Sequence, residues 1–282
     1  MSGGIQSRVP RMDYDQIKGV SITRLKELRR SPQHYRYLLE NPKRSDAMTV
    51  GSATHVAVLE PERFGKDFAI WNRKTDTGRS APRNGKWWDT FQLEHKGQTI
   101  LTEDEGLLAL AIAKAVRFDE TANKYLAVGD PEVTMEWELG DRPAKGRADW
   151  LTTIDGNPHL VGLKTTRDCR HFAFGAQAAK LEYGMQWAFY HDGFVAITGK
   201  EPRMIEIVVE SAPPFAVATY IIDKDIVLQG RDNYLEMLKV LAECERLDEW
   251  PGPVVGEQIL TMPSWYFPQA DDLADLELEP IE

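Results

Sequence analysis

Residues 146–166, GRADWLTTIDGNPHLVGLKTT, constrain this chain more than any other stretch. Two runs rich in β-branched and apolar residues flank Asp155-Gly156-Asn157-Pro158, a dense cluster of turn formers, so the segment predicts a β-hairpin. If the hairpin closes around residues 155–158, Ile154 faces His159 and Asp149 lies opposite Lys164. Side chains alternate faces along a strand, so Gly162 and Lys164 point the same way and Leu163 points away. A one-residue slip would turn Lys164 into the apolar layer, which disfavours it. The hairpin therefore gathers Asp149, position 162 and Lys164. Farther along, Gln186 and Tyr190 fall at i, i+4 in helical sequence and share a face.

An acid on one strand beside an ammonium on the next suits phosphodiester chemistry. Mg²⁺ takes oxygen ligands, usually one or two carboxylates completed by water and substrate phosphate. A neighbouring ammonium can orient the attacking water and stabilise developing charge. The bland reading of Gln186 and Tyr190 is two polar positions on a surface helix; the sharper one is a brace for Lys164 or for a bound strand.

The remaining chain reads as support. Ser21 and Ser31-Pro32 start two helices, ITRLKELRR and the run HYRYLLE that ends at Asn41-Pro42. Met48–Leu59 is a helix of small residues carrying His55, which is either a packed core histidine or a ligand. Thr102 and Glu105 form a capping box ahead of an apolar helix that should reach about Tyr125. Strands are expected at 133–139, on both sides of the central turn, at 204–211 and at 216–223. Helical sequence covers about 172–197 and 224–248. Residues 70–98 show few regular signals. There Arg73, Lys74, Arg79, Arg83 and Lys86 precede Trp87-Trp88, which suits either nucleic-acid contact or an ordered insertion with two core tryptophans.

This order predicts an α/β protein: a mixed central β-sheet flanked by helices, with a helical N-terminal part. One domain is expected over 21–268, with its core at 131–223, a flexible 1–20 segment and an acidic disordered tail at 269–282. The tail concentrates part of a net charge of −10; the global acidity argues against a non-specific DNA coat without excluding one DNA-binding face. Two cysteines are too few for a disulfide scaffold or a four-thiolate metal site. No apolar run approaches bilayer length and the first residues lack a secretory apolar stretch, so a cytoplasmic protein with no membrane partner is expected.

Five motifs occur in one order: SPQHYRYLLENP, GSATHVAVLEP with His55, GRAD with Asp149, GLKTT with Lys164, and Gln186-x-x-x-Tyr190. Together they resemble the PD-(D/E)XK nuclease superfamily, in the branch of RecE-like (exodeoxyribonuclease VIII-like) phage and prophage exonucleases. The resemblance implies a restriction-endonuclease-like core and a Mg²⁺ (or Mn²⁺) dependent exodeoxyribonuclease that resects duplex DNA ends 5′ to 3′ for recombination. It implies His55 and Asp149 as metal ligands, with the Leu163 backbone carbonyl as a further one. Lys164 would assist the water, and Gln186 and Tyr190 would belong to the motif after the core. Arg147, Thr165, Thr166, Trp87 and Arg83 are assigned to DNA contact. A RecT-like single-strand annealing recombinase and a ring of identical subunits are the implied partners, in a bacterial host cell.

Gly162 departs from the pattern, which places an Asp or Glu there. Three explanations compete. Glu136 or Glu138 on the preceding strand substitutes; the chain is catalytically dead; or a metal binds weakly through His55, Asp149 and backbone. The rival to an exonuclease is a nuclease-fold DNA-binding or recombination scaffold without activity. A nuclease acting on RNA or branched DNA is a third reading.

Overall fold

A computed structural model describes residues 4–41, 46–263 and 266; the expected acidic tail and the first residues of the N-terminal segment lie outside them. In chain order the elements are β1 (Gly4–Gln6), α1 (Arg11–Gln16), α2 (Ile22–Leu25) with a 3₁₀ turn at Lys26–Arg29, α3 (Pro32–Glu40), α4 (Asp46–Leu59) and α5 (Pro61–Asp67). Then follow β2 (Phe68–Trp71), α6 (Gly85–Glu94), β3 (Thr99–Thr102), α7 (Glu103–Phe118) and α8 (Glu120–Leu126). The remainder is β4 (Asp130–Leu139), β5 (Arg142–Ile154), β6 (Asn157–Thr166), α9 (His171–Lys180), α10 (Tyr183–Thr198), β7 (Arg203–Glu210), β8 (Val217–Ile221) and α11 (Lys224–Leu247).

The sheet is mixed, in the order β1-β4-β5-β6-β7-β8. Only β6 and β7 run parallel within it, joined by the crossover α9–α10. Its two faces bury separate apolar layers. One packs Met135, Trp137, Leu160 and Val208 against α2, α10 and α11. The other packs Trp150, Leu163, Ile205 and Ile207 against α4, α7 and α8. The expected α/β class and helix-flanked sheet are therefore present.

Local chemistry explains the boundaries. The Ser31 hydroxyl caps α3 by accepting from the His34 amide, with Pro32 in the first turn. Thr102 and Glu105 close the expected capping box at α7. The helix does not run unbroken to Tyr125, because Asp119 ends α7 and its side chain caps α8. Likewise the helix expected over 172–197 is two helices, broken where Glu182 adopts φ 55°. Residues 70–98, which showed few regular signals, contribute the end of β2 and all of α6, and β3 follows at Thr99 to form a small parallel pair with β2.

The central hairpin is tighter than expected. Ile154 pairs with Asn157 and Thr152 with His159 across a two-residue turn. Both turn residues are left-handed, Asp155 at φ 51° and Gly156 at φ 78°, as a twist-compatible two-residue hairpin requires. The predicted pairing of Ile154 with His159 is thus off by two residues. An even shift leaves every side chain on its predicted face. It does move Asp149 away from Lys164's level and toward that of Gly162.

Helices α10 and α11 are pinned by one carboxylate. Asp192 accepts from Arg231 Nε at 2.7 Å, from the Tyr234 hydroxyl at 2.6 Å and from His191 Nδ1 at 2.9 Å. Burial pushes its carboxyl upward, but the hydrogen bonds from Arg231, His191 and Tyr234 outweigh this and hold it well below the usual range. A depressed folded-state pKa gives stability that is present above the unfolded value of about 3.9 and lost as pH falls. Asp192→Asn is therefore expected to cost about 1–3 kcal/mol at pH 7 in urea unfolding. The gap from the parent chain should close as the pH drops below about 4.

Candidate active site

Four elements deliver the site. His55 comes from the last turns of α4, Glu132 from the start of β4, Asp149 from β5 and Lys164 from β6. Pairing between β4 and β5 runs from Asp130↔Leu151 to Leu139↔Arg142 but skips Glu132 and Asp149. Glu132 stands there at φ 51°. Ala148 packs into one core, Trp150 into the other and Leu151 against the first again, so strict alternation fails at Asp149. An irregularity of this kind re-aims a side chain. Asp149 uses it to reach sideways, and its Oδ2 accepts from the Leu163 amide at 2.8 Å.

The result is a cluster of donors. One ligand atom each from His55, Glu132 and Asp149 lies within 4.8 Å of the others. His55 Nδ1 is 3.7 Å from Asp149 Oδ1. The Arg147 guanidinium lies against the Glu132 carboxylate and sits 5.7 Å from the Tyr14 ring centroid. Burial nonetheless pushes the Glu132 carboxyl upward. Asp149 is also pushed up by burial, but Lys164, His55 and the Leu163 amide outweigh this and hold it low. An imidazole and two carboxylates at this spacing fit a hard divalent cation completed by water.

Lys164 Nζ lies 3.7 Å from Asp149 Oδ2 and 3.5 Å from Glu206 Oε1. Its ammonium is also 5.6 Å from the Tyr183 ring centroid and 3.4 Å from the Leu163 carbonyl. Burial disfavours the charge, yet Glu206 and Asp149 reverse this and keep the ammonium protonated far above neutrality. Lys164 can therefore donate hydrogen bonds and stabilise negative charge; it cannot accept a proton.

Glu206 was not among the expected residues. It is 1% exposed, and it sits on β7 directly beside Gly162. Its Oε2 accepts from Trp187 Nε1 at 2.5 Å. Glu136 and Glu138, the proposed substitutes for a position-162 acid, lie elsewhere on β4, across from Lys145 and Pro143. Glu206 and Asp149 are the acids paired with Lys164 among the described residues. A signal for Glu206 existed: it is the one charge inside the apolar run MIEIVV. Glu132 left no comparable mark.

The other expected residues divide. The Tyr190 ring packs on Gly146, where a Cβ would approach within 2.9 Å, and burial holds its hydroxyl protonated. It stands near enough to feel the charges of Asp149 and Lys164. Gln186 shares this helix face one turn earlier, half-buried, and makes no side-chain hydrogen bond to the site among the described residues. The Leu163 carbonyl faces Lys164 Nζ, while its side chain is buried in the α7-side core. Thr165 and Thr166 line a groove with Arg167, Gln177, Lys180 and Ser211, beginning one residue beyond Lys164. Arg83 is tied to Glu105 at 3.7 Å and lies over Trp88, whereas Trp87 is 63% exposed beneath Arg73.

The sequence matches the profile of the PDDEXK-like domain of unknown function (DUF3799) over residues 21–259. The chain belongs to this family. It therefore has the nuclease fold that the motifs resembled. A search of curated proteins finds no match. Among solved structures, a "putative exonuclease" from Eubacterium rectale superposes with a TM-score of 0.61 at 16% identity, covering 96% of this chain and 100% of that one. At that identity the likeness concerns the fold. Protein VC1899 from Vibrio cholerae gives a TM-score of 0.23 at 14% identity, over 82% of this chain and 53% of its own, which carries no weight. No helix among the described residues is long and apolar enough to cross a membrane.

Removing the Lys164 charge leaves two carboxylates without their cation. Lys164→Met is expected to lower stability by about 3 kcal/mol, the scale for breaking a mostly buried ion pair. Urea denaturation of the two proteins measures it.

Proposed function

We propose that this chain is a divalent-metal-dependent exonuclease acting on the ends of duplex DNA. The observation that carries the reading is the convergence of His55, Glu132 and Asp149 donors within 4.8 Å, beside an ammonium held 3.7 Å from Asp149. His55, Glu132 and Asp149 would hold Mg²⁺ or Mn²⁺, which when bound neutralises charge on a scissile phosphate and lowers the pKa of coordinated water.

The chain's own groups do the rest. The Lys164 ammonium donates to a phosphate oxygen or to the attacking water and fixes it for in-line approach. Because Lys164 stays charged, the proton leaves by another route, through solvent or a carboxylate. Arg147 pairs with Glu132 and keeps that carboxylate aimed at the cluster. The groove of Thr165, Thr166, Arg167 and Lys180 offers hydroxyl and cationic donors to a phosphate backbone, the sequence-independent contact expected of an enzyme that digests any duplex. The stacked Arg73–Trp87 pair offers a second, more distant contact surface.

Cytoplasmic action in phage-type recombination, 5′ to 3′ resection, handover to a RecT-like annealing protein and a ring-shaped homo-oligomer extend this proposal on the family resemblance alone. The buried acid beside Gly162 favours the enzyme over the inactive-scaffold reading. The exposed cation groove is common to both readings.

Two measurements test the function. Linear duplex DNA labelled at either 5′ or 3′ end should be degraded with Mg²⁺ or Mn²⁺ and spared with EDTA, while closed circular duplex survives. Absence of any degradation by the native chain would remove the exonuclease reading, and equal loss of single-stranded RNA would redirect it to RNA. Lys164→Gln should lower the rate by about 100-fold or more. Separately, Mn²⁺ should raise the melting temperature of the native chain. His55→Ala and Asp149→Asn should abolish that rise, because ligand binding to the folded state is what produces it.

A further inference from the structure

The pairing of a bare glycine with a buried glutamate at one rung of the sheet has a chemical explanation. Strands β6 and β7 are parallel, and Gly162 is the register partner of Glu206. A Cβ built on Gly162 would lie 2.5 Å from Glu206 Oε1, 2.5 Å from Oε2 and 2.7 Å from the carboxyl carbon. The Glu206 carboxylate therefore fills the space where a side chain at 162 would begin. The two side chains cannot coexist without one moving.

Glu206 is also costly where it stands. It is 1% exposed in a strand whose neighbours Ile205, Ile207, Val208 and Val209 are all core. An isolated carboxylate there would lose several kcal/mol of hydration. Trp187 Nε1 satisfies Oε2, but Oε1 has no hydrogen-bond partner and is directed at the site, 3.5 Å from Lys164 Nζ. Asp149 Oδ2 flanks the same ammonium at 3.7 Å. Lys164 is thus bracketed by one acid from β5 and one from β7.

We propose that Glu206 is a further acid of the metal site beside Glu132 and Asp149, standing on β7 in place of the acid absent from position 162, and that Gly162 is the space this placement requires. The inference rests on the nuclease reading of the same site. A purely structural counter-ion for Lys164 would affect folding alone; an acid of the metal site also governs how tightly a divalent cation binds. Gly162→Asp in the native background should therefore fail to improve the enzyme, because it crowds two carboxylates into one space.

The test is a double-mutant cycle read by Mn²⁺ calorimetry without DNA, on variants whose folding is confirmed by circular dichroism. Glu206→Gln, which keeps the side-chain bulk, should weaken Mn²⁺ binding by about tenfold or more. Glu206→Ala should do the same, and Gly162→Asp/Glu206→Ala should recover affinity to within about threefold of the native chain, a coupling far outside additivity. Native-like binding by Glu206→Gln overturns the proposal. So does a double variant that binds no better than Glu206→Ala, or a native chain that binds no Mn²⁺. Should Glu206→Ala not fold, Glu206→Gln alone decides. Nuclease rates are measured in parallel. A native chain that binds Mn²⁺ but cleaves nothing refutes the exonuclease function while leaving the affinity cycle decisive. A cleaving Glu206→Gln with unchanged Mn²⁺ affinity refutes the role of Glu206 alone.

Discussion

An ammonium enclosed by two carboxylates is the constraint around which this protein is arranged. Lys164 is mostly withdrawn from water, and a lone charge there would be expelled or neutralised. It remains charged because Asp149 and Glu206 approach within 3.7 Å and 3.5 Å. Each acid in turn is anchored from outside the pair, Asp149 by the Leu163 amide and Glu206 by the Trp187 indole. The tight hairpin, the parallel β6–β7 pairing and the crossover through α10 are what bring these anchors together. Loss of any one of the three strands' relative registers would dissolve the arrangement.

The metal-ligand cluster depends on a departure from regularity. A perfect β4–β5 ladder would turn Asp149 to one face of the sheet. The unpaired Glu132–Asp149 rung lets Asp149 reach β6 through one oxygen while both acids converge with His55. The left-handed backbone at Glu132 costs some strain for a residue that has a Cβ. Such strain is expected where function, rather than stability, selects the geometry.

Much of this was legible in the sequence. Turn formers marked the hairpin, caps marked α3 and α7, and the ordered motifs marked His55, Asp149 and Lys164. The hairpin register was misread by two residues because turn length, not composition, sets it. The break at Glu182 and the strand pair β2–β3 left no periodic trace, since both depend on packing between distant segments. Glu206 was missed for a different reason. Its partner position is 44 residues away in sequence (206 − 162), and only the parallel register of β6 and β7 makes them adjacent. Glu132 was hidden because a strand-initial acid resembles ordinary solvated sequence.

The 2.5 Å approach between a would-be Gly162 Cβ and the Glu206 oxygens also bears on how such chains diverge. An acid gained at 162 collides with the Glu206 carboxylate, and an acid lost at 206 leaves Lys164 with Asp149 alone. The two positions are therefore coupled, and the residue at one limits what the other can hold. A pattern search that demands an acid two residues before the lysine passes over this chain. A search that accepts glycine there, provided the next strand carries a solitary buried acid, would find it.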